Sequence, residues 1–466
     1  MLHSQKAKAH AACHALLAAL PGQVYLPDSH DWHIASTELT NLYHAVEIWS
    51  KTCVLTPQCV FEPKTTLDLS NGVKLIKEHE SLFAVRSGGH MAVPGAQSVD
   101  QGVMISMSNF HTKTLIRITL SPRLGPDNSG STLAVNGGRY PMVGVGGVLL
   151  GGGMGYFAGQ RGWSVDDIVG WEVVLADGSI VDVTASSDDP YSDLAWALRG
   201  GHNHFGIVTR FDMRTFPAGP AYGGLVAYGA AAEEQFFASL DAVYATTCRW
   251  GMGAGIPERL HNFTSIASEH VVFGSTELHD SWIDIPRSLA SMATRDDRTL
   301  FWAITFKADR RAIDIVTELF YAGAVNELKH VEGLSLAISF QPLTVPYLTA
   351  SKMKAGNLMG LDPDKDSGHF AGILFPTWKF EKDDEAVYGF TRKAAMAMEE
   401  QLRKLDLFNH TFTSMMQPRD RNLFGTHLAR LQEIRAKYDP DGFIRDYLQH
   451  GFELASPGSP RSHGEL

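Results

Sequence analysis

The sequence predicts an α+β fold in more than one domain. Three observations carry this. Strand and helix signals mix along residues 60–211, around a glycine-rich centre at 137–162. Pro217-Ala-Gly-Pro220 then punctuates the chain. Beyond it, strand candidates alternate with helical stretches, the pattern of a sheet covered by helices on one face. The length of 466 residues agrees, since roughly 150 residues make a domain.

The elements follow in order. Residues 15–20 are apolar and follow Lys6 and Lys8, but His10, Cys13 and His14 interrupt the lead-in. Pro21-Gly22 ends the stretch without a small-x-small cleavage site, so it reads as a short helix rather than a secretion signal, with a cytoplasmic default. Val60-Phe61-Glu62-Pro63 reads as a short strand. Residues 66–79 have helical spacing, with Leu69, Val73 and Ile76 behind Asp68. Residues 82–86 form a strand that runs into Ser87-Gly88-Gly89-His90, and 103–107 form another. Runs 171–176 and 180–183 make a hairpin about Asp177-Gly178. A short helix at 193–198 and a strand at 205–211 close the first half. In the second half, strands are expected at 224–228, 269–273, 300–306, 336–340 and 370–375, and helices at 233–246, 310–321 and 384–405.

Composition narrows the function classes. Hydrophobic residues at 44% and charged residues at 20% suit a globular chain. A net charge of -11 argues against nucleic acid as the main partner, because a phosphate backbone needs a basic surface. No run approaches the ~18 apolar residues of a membrane helix. Cys13, Cys53, Cys59 and Cys248 are too few for a disulfide scaffold, and no CxxC pair suggests zinc or redox chemistry, so no metal is expected. Asn262 and Asn409 open sequons that matter only in a secreted chain.

The glycine-rich stretch carries the chemistry. Without Cβ atoms, backbone N–H groups approach a ligand closely and can form anion-binding nests, which suit a pyrophosphate. A tight packed hairpin is the bland alternative. Gly153-Met-Gly155-Tyr-Phe-Ala158 also fits the GxGxxA dinucleotide fingerprint, with Glu172 about 20 residues on. Its context fails: no clean strand precedes it, and Gln160-Arg161-Gly162 stops any helix.

RSGGH at 86–90, VGVGGVLLGGGMGYFAGQRGW at 143–163, WEVVLADGSIV at 171–181 and DLAWALRGGHNHFGIVTRF at 193–211 come in an order and spacing that resembles the FAD-linked oxidases. These form the vanillyl-alcohol-oxidase and p-cresol-methylhydroxylase (PCMH) superfamily. The likeness is to its berberine-bridge-enzyme-like branch, and within that to fungal FAD-linked oxidoreductases. SFQPLTVPYLTASKMKAGNLMGL at 339–361 and KYDPDGFIRDYLQHGFEL at 437–454 extend the resemblance over nearly the whole chain.

The resemblance implies a PCMH-type FAD-binding domain of two α+β subdomains at 1–218. It implies a substrate domain at 219–418, with an antiparallel sheet covered by helices. Residues 419–454 would return to the first domain, and 455–466 would be a tail. Arg86, Ser87, Gly88, Gly89 and His90 would cradle the pyrophosphate, with His90 bonded covalently to the flavin. Gly144, Gly146, Gly147, Gly151, Gly152 and Gly153 would line the pyrophosphate and ribityl chain. Gly206, Ile207 and Val208 would press on the adenine end, although FGIVTRF also reads as a plain buried strand. Cys13 and Cys59 resemble a disulfide pair of secreted fungal relatives, which would imply an oxidising compartment.

The chain departs from the family pattern in three places. Tyr140 stands where many relatives carry a second cysteinyl tether, so a single tether is expected. A VGAG-x-x-W segment before Gly137 is missing, which raises the alternative of a flavin-poor relic. Phe424-Gly425-Thr-His427 stands where the family has Tyr-Gly and Asn.

The implied reaction is an oxidase reaction: a base takes a proton, hydride passes to flavin N5, and O2 regenerates the cofactor. Base candidates are Glu269, His270, His369 and Tyr388, since the work needs a tuned group within reach of the proton. Gln341, Asn357 and His369 are candidate substrate contacts. The expected substrate is a small molecule of fungal secondary metabolism, with an oligosaccharide or alcohol as the alternative.

Overall fold

The computed structural model of the chain describes residues 2–27, 38–39, 46–110, 132–245, 260–290, 297–354, 356–363, 368–409, 427–449 and 454. The first helix, α1 (Leu2–Ala19), is far longer than the expected six residues. Ala9, Ala12, Cys13, Leu16 and Leu20 are buried at helical spacing, so the inner face begins with small residues and only its C-terminal end carries large apolar ones. Strand β1 (Val24–Tyr25) pairs antiparallel with β2 (Cys59–Phe61). Helix α2 (Thr66–Glu78) starts at Thr65, whose hydroxyl accepts from the Asp68 N–H at 3.1 Å. Strands β3 (Phe83–Arg86) and β4 (Val103–Ser106) complete a sheet of order β1-β2-β4-β3, in which β2, β4 and β3 run parallel. A disulfide between Cys13 and Cys59 ties α1 to β2.

The glycine-rich region holds two short helices, α3 (Val145–Leu150) and α4 (Ala158–Arg161). Gly162, at φ +75°, ends the second, as its sequence indicated. No strand leads into Gly153; α3 precedes it, so the dinucleotide fingerprint lacks its strand. The expected hairpin forms from β5 (Ile168–Val174) and β6 (Ile180–Thr184), with Gly178 at φ +79° and Asp177 Oδ1 accepting from Ser179 N–H at 2.8 Å. Strand β7 (Ile207–Met213) pairs on the other side of β5.

A two-stranded ribbon of β8 (Ala221–Tyr228) and β9 (Val271–His279) stands apart from the main sheet of the second half. That sheet centres on β12 (His369–Trp378). It is flanked by β10 (Trp302–Lys307) on one edge and β11 (Ser335–Leu343) on the other, all antiparallel. Arg298 and Thr299 extend the β10 edge. The alternation of strand residues separates its two faces. Phe306, Phe370, Leu374 and Trp378 pack into a core with Ile313, Val316 and Phe320 and with α5 (Asp384–Lys404). Ala303, Leu343 and Ala371 point the other way, into the core of Trp163, Trp171 and Leu149. Helices therefore cover one face, and the glycine-rich region covers the other. The last segment touches the first half: Tyr438 donates to Asp193 Oδ1 at 2.7 Å, and Gln449 N–H donates to Phe83 O at 2.6 Å.

Candidate active site

Strand β3 delivers Arg86 into the interior, where burial pulls its pKa down to about 10 against the pull of Glu62. The next four residues turn through Gly89 at φ +67°. Here two loops meet backbone to backbone. A Cβ on Gly88 would lie 2.0 Å from Gly144 N, and one on Gly144 would lie 2.1 Å from Gly88 N. Only glycine at both positions permits this approach. Ser87 Oγ lies under Gly144 and Gly146, while Gly147 faces open space. The other glycines of the stretch serve packing. Gly151 abuts His202, Gly152 abuts Met359, and Gly153 abuts Ser164. Gly206, at φ +139°, presses on Val173 and Val174. Ile207 is buried with Phe83 and Phe443, and Val208 packs on the Trp171 core.

His90 follows the double glycine and meets an aromatic group drawn from both halves of the chain. Trp49 stacks on its ring at 4.3 Å and 22°. Tyr140 lies at 5.1 Å and Phe301 at 6.3 Å, and Phe301 in turn stacks on Phe375 of β12 at 5.0 Å. Nε2 of His90 is sealed from solvent and has no hydrogen-bond partner among the described residues. Burial lowers its pKa to about 4, so the imidazole is neutral at physiological pH.

The sheet face that looks toward this cluster carries Thr305, Ala371 and Gln341 side by side. Gln341 donates from Nε2 to Ser339 Oγ at 2.8 Å, and its Oε1 is buried without a partner among the described residues. A buried acceptor left open is costly unless a ligand donor meets it. Gln341 lies level with Ala371, four residues and roughly 13 Å along the strand from Phe375.

The remaining candidates fall elsewhere. His369 opens β12 on the same face, is fully buried, and shares a 2.6 Å hydrogen bond between Nε2 and Asn409 Nδ2. It stands roughly 20 Å along the strand from Phe375. Asn357 braces a loop: its amide donates to Asp166 Oδ1 at 2.9 Å and Ser351 Oγ at 2.6 Å, and its Oδ1 accepts from Met359 N–H. Tyr388 sits on α5, edge-on to Trp378 beneath the opposite face, and burial holds its phenol well above the ordinary range. Glu269 is exposed, and it and His270 lie in the turn before β9, outside the main sheet. Of the base candidates, only His369 lies on the face over the loops. Phe424-Gly425, where the family has Tyr-Gly, lies outside the described residues.

Sequence reasoning missed Trp49, Phe301 and Phe375, which carry no local motif. It also missed Tyr347, a buried phenol whose ring lies tilted against Trp163 at 4.8 Å with its hydroxyl unpartnered among the described residues. Burial raises its pKa, and nearby Arg139 pulls it back.

Among the described residues no acidic, cysteine and histidine cluster could hold a metal, and no helix is long and apolar enough to cross a membrane. The residues suit a flavin instead: back-to-back glycine loops with open space at Gly147, and a neutral histidine with an orphaned nitrogen. A family model described as an FAD binding domain matches residues 127–184. The protein is therefore an FAD-linked oxidoreductase with an FAD-binding domain. The FAD-dependent monooxygenase prx3 of Penicillium roqueforti is 31% identical over 462 residues, covering 88% of each chain. The xylooligosaccharide oxidase of Myceliophthora thermophila superposes with a TM-score of 0.70 at 21% identity, over 96% of this chain and 100% of that one. The glucooligosaccharide oxidase of Acremonium strictum, whose structure is described as carrying a 6-S-cysteinyl, 8α-N1-histidyl FAD, gives 0.67 at 19% identity over 96% and 100%. The chain belongs to the family of FAD-linked oxidoreductases that includes this fungal FAD-dependent monooxygenase, and it has the fold of the PCMH-type, berberine-bridge-enzyme-like flavoproteins.

Proposed function

We propose that the protein is an oxidase that holds FAD covalently through His90 and oxidises a small hydroxyl-bearing metabolite, with O2 as the terminal acceptor. The observation that carries this reading is the neutral, sealed imidazole of His90 at the junction of both glycine loops and the substrate sheet. A neutral ring keeps a lone pair for a bond to the cofactor, which a protonated one lacks. Arg86, Ser87, Gly88, Gly89, Gly144, Gly146 and Gly147 would hold the pyrophosphate side. Tyr140 beside His90 leaves a single tether. When bound, FAD supplies two-electron redox chemistry, and the protein contributes binding, orientation and electrostatics.

The chain's own residues suggest the substrate. Phe301 and Phe375 offer a flat apolar wall, and Gln341 Oε1 offers one acceptor for a substrate hydroxyl. Such a surface favours a small, largely apolar metabolite of fungal secondary metabolism, in line with the monooxygenase relative. Of the named base candidates, His369 alone shares this face, but Asn409 engages its Nε2.

The test pairs wild type with His90→Ala. The wild-type band on a denaturing gel should fluoresce as flavin, and the variant band should be dark. Substrates are then screened by peroxide release, which should require air. A colourless native protein would end the oxidase reading. A yellow protein with a dark band would end the tether alone.

A further inference from the structure

The strap at residues 49–53 comes from outside every recognised motif, yet it holds the tether loop from both sides. Trp49 N–H donates to Gly89 O at 3.0 Å, immediately before His90. Cys53 Sγ donates to Met91 O at 3.3 Å, immediately after it, and Gln97 Nε2 donates to the same oxygen at 2.8 Å. Between these two anchors the Trp49 indole lies nearly parallel to the imidazole at 4.3 Å, and Tyr140 stands edge-on to Trp49 at 5.7 Å. The strap is itself fixed to the substrate sheet. Ser50 is fully buried; its hydroxyl accepts from Thr299 N–H at 2.8 Å and donates to Thr299 O at 3.0 Å. Lys51 N–H donates to Asp297 O at 3.2 Å. Thr299 stands two residues before Phe301, whose ring completes the cluster.

A backbone pinned at both neighbours still leaves the imidazole free to rotate about its side-chain bonds. Tyr140 and Phe301 touch the ring more distantly, at 5.1 and 6.3 Å. Trp49 makes the closest of these ring contacts, nearly parallel to the imidazole. Building a bond to a ring held loosely is slow, because misplacement by about 1 Å can cost a hundredfold in rate.

We propose that Trp49 is a positioning residue for covalent attachment of the cofactor: its indole fixes the plane and place of the His90 imidazole, and the 49–53 strap anchors that geometry to the substrate sheet. The inference rests on the tether reading above. Attachment forms one bond from a ring nitrogen to the 8α-methyl carbon. It breaks one C–H bond of that methyl and one N–H bond of the imidazole. The two protons and the electron pair leave the cofactor reduced by two electrons, and O2 takes that pair to give hydrogen peroxide.

The test expresses the full chain as wild type, Trp49→Phe, Trp49→Leu and Trp49→Ala. Each is purified with the cofactor it acquires. Total flavin is read from the absorbance of the native protein, covalent flavin from fluorescence of the denatured band, and folding from the melting curve. Trp49→Leu keeps apolar bulk but removes the flat face, so it stays folded and yellow while its covalent fraction drops by about tenfold. Trp49→Phe restores most of that fraction, a rescue that a role in packing alone would not show. Covalent fractions equal to wild type in Trp49→Leu and Trp49→Ala overturn the role of Trp49 and leave His90 as the tether. A dark wild-type band on yellow protein overturns the tether and the role together.

Discussion

Gly88 and Gly147 lie in the same cradle but meet different surroundings, and that difference is measurable. A Cβ at Gly88 would collide with the backbone of Val143 and Gly144, where no side chain can swing away. Gly88→Ala should lower stability by about 3 kcal/mol, seen as a lower denaturation midpoint, and should yield protein with little flavin. At Gly147 nothing lies within 4 Å, and the residue is helical. Gly147→Ala should leave the melting temperature unchanged or slightly higher, since alanine gains up to about 1 kcal/mol over glycine in a helix. It should still lower the share of protein that acquires flavin, because the added Cβ enters the open space proposed for the cofactor. Gln341→Leu removes one neutral hydrogen-bond acceptor, so KM should rise by about tenfold while covalent flavin is unaffected. His90 and the paired glycines were legible in the sequence because they sit together in one short motif. Trp49, Phe301 and Phe375 were not, because a lone aromatic has no pattern and these meet only after folding brings together residues some 250 positions apart.

At the scale of elements, a buried carboxylate joins the glycine-rich region to the turn after the helix Val345–Lys352. Asp167 is fully buried and accepts from Arg161 Nε at 2.8 Å and Nη2 at 2.7 Å, and from Lys354 Nζ at 2.6 Å. Removing one partner of a buried pair strands the others. Asp167→Asn should therefore cost about 3 kcal/mol in urea unfolding and lower the share of protein that acquires flavin on expression. The disulfide closes a separation of 46 residues between α1 and β2. Cys13→Ser with Cys59→Ser should cost about 4 kcal/mol on the loop-entropy account, measured against wild type without reductant. Equal midpoints would show that α1 is held by its apolar stripe alone. That stripe was missed in the sequence because alanine weighs little on hydropathy, whereas α2, β3, β4 and the Asp177-Gly178 hairpin followed their periodicity and turn residues closely. Asn409 was read as part of a sequon, yet its amide is bound to His369 inside the protein.

At the scale of the whole molecule, the two faces of the β10-β12-β11 sheet divide the labour. One face buries Phe306, Phe370 and Trp378 under helices and supplies stability. The other lies over the glycine-rich region and presents small and neutral polar residues around Phe375. The alternation of each strand was readable, but which face met the cofactor region was not, because that depends on packing between segments far apart in the chain. The resemblance across several ordered motifs supplied the overall architecture that periodicity alone left open. On the reading proposed above, His90 joins the two halves of the chain through the cofactor. The most direct measurement is to digest the purified protein and locate flavin by peptide mass spectrometry. The account predicts flavin mass on the peptide containing His90 and on no other. Flavin recovered wholly free after acid precipitation of yellow protein, or bound to a different peptide, would contradict it.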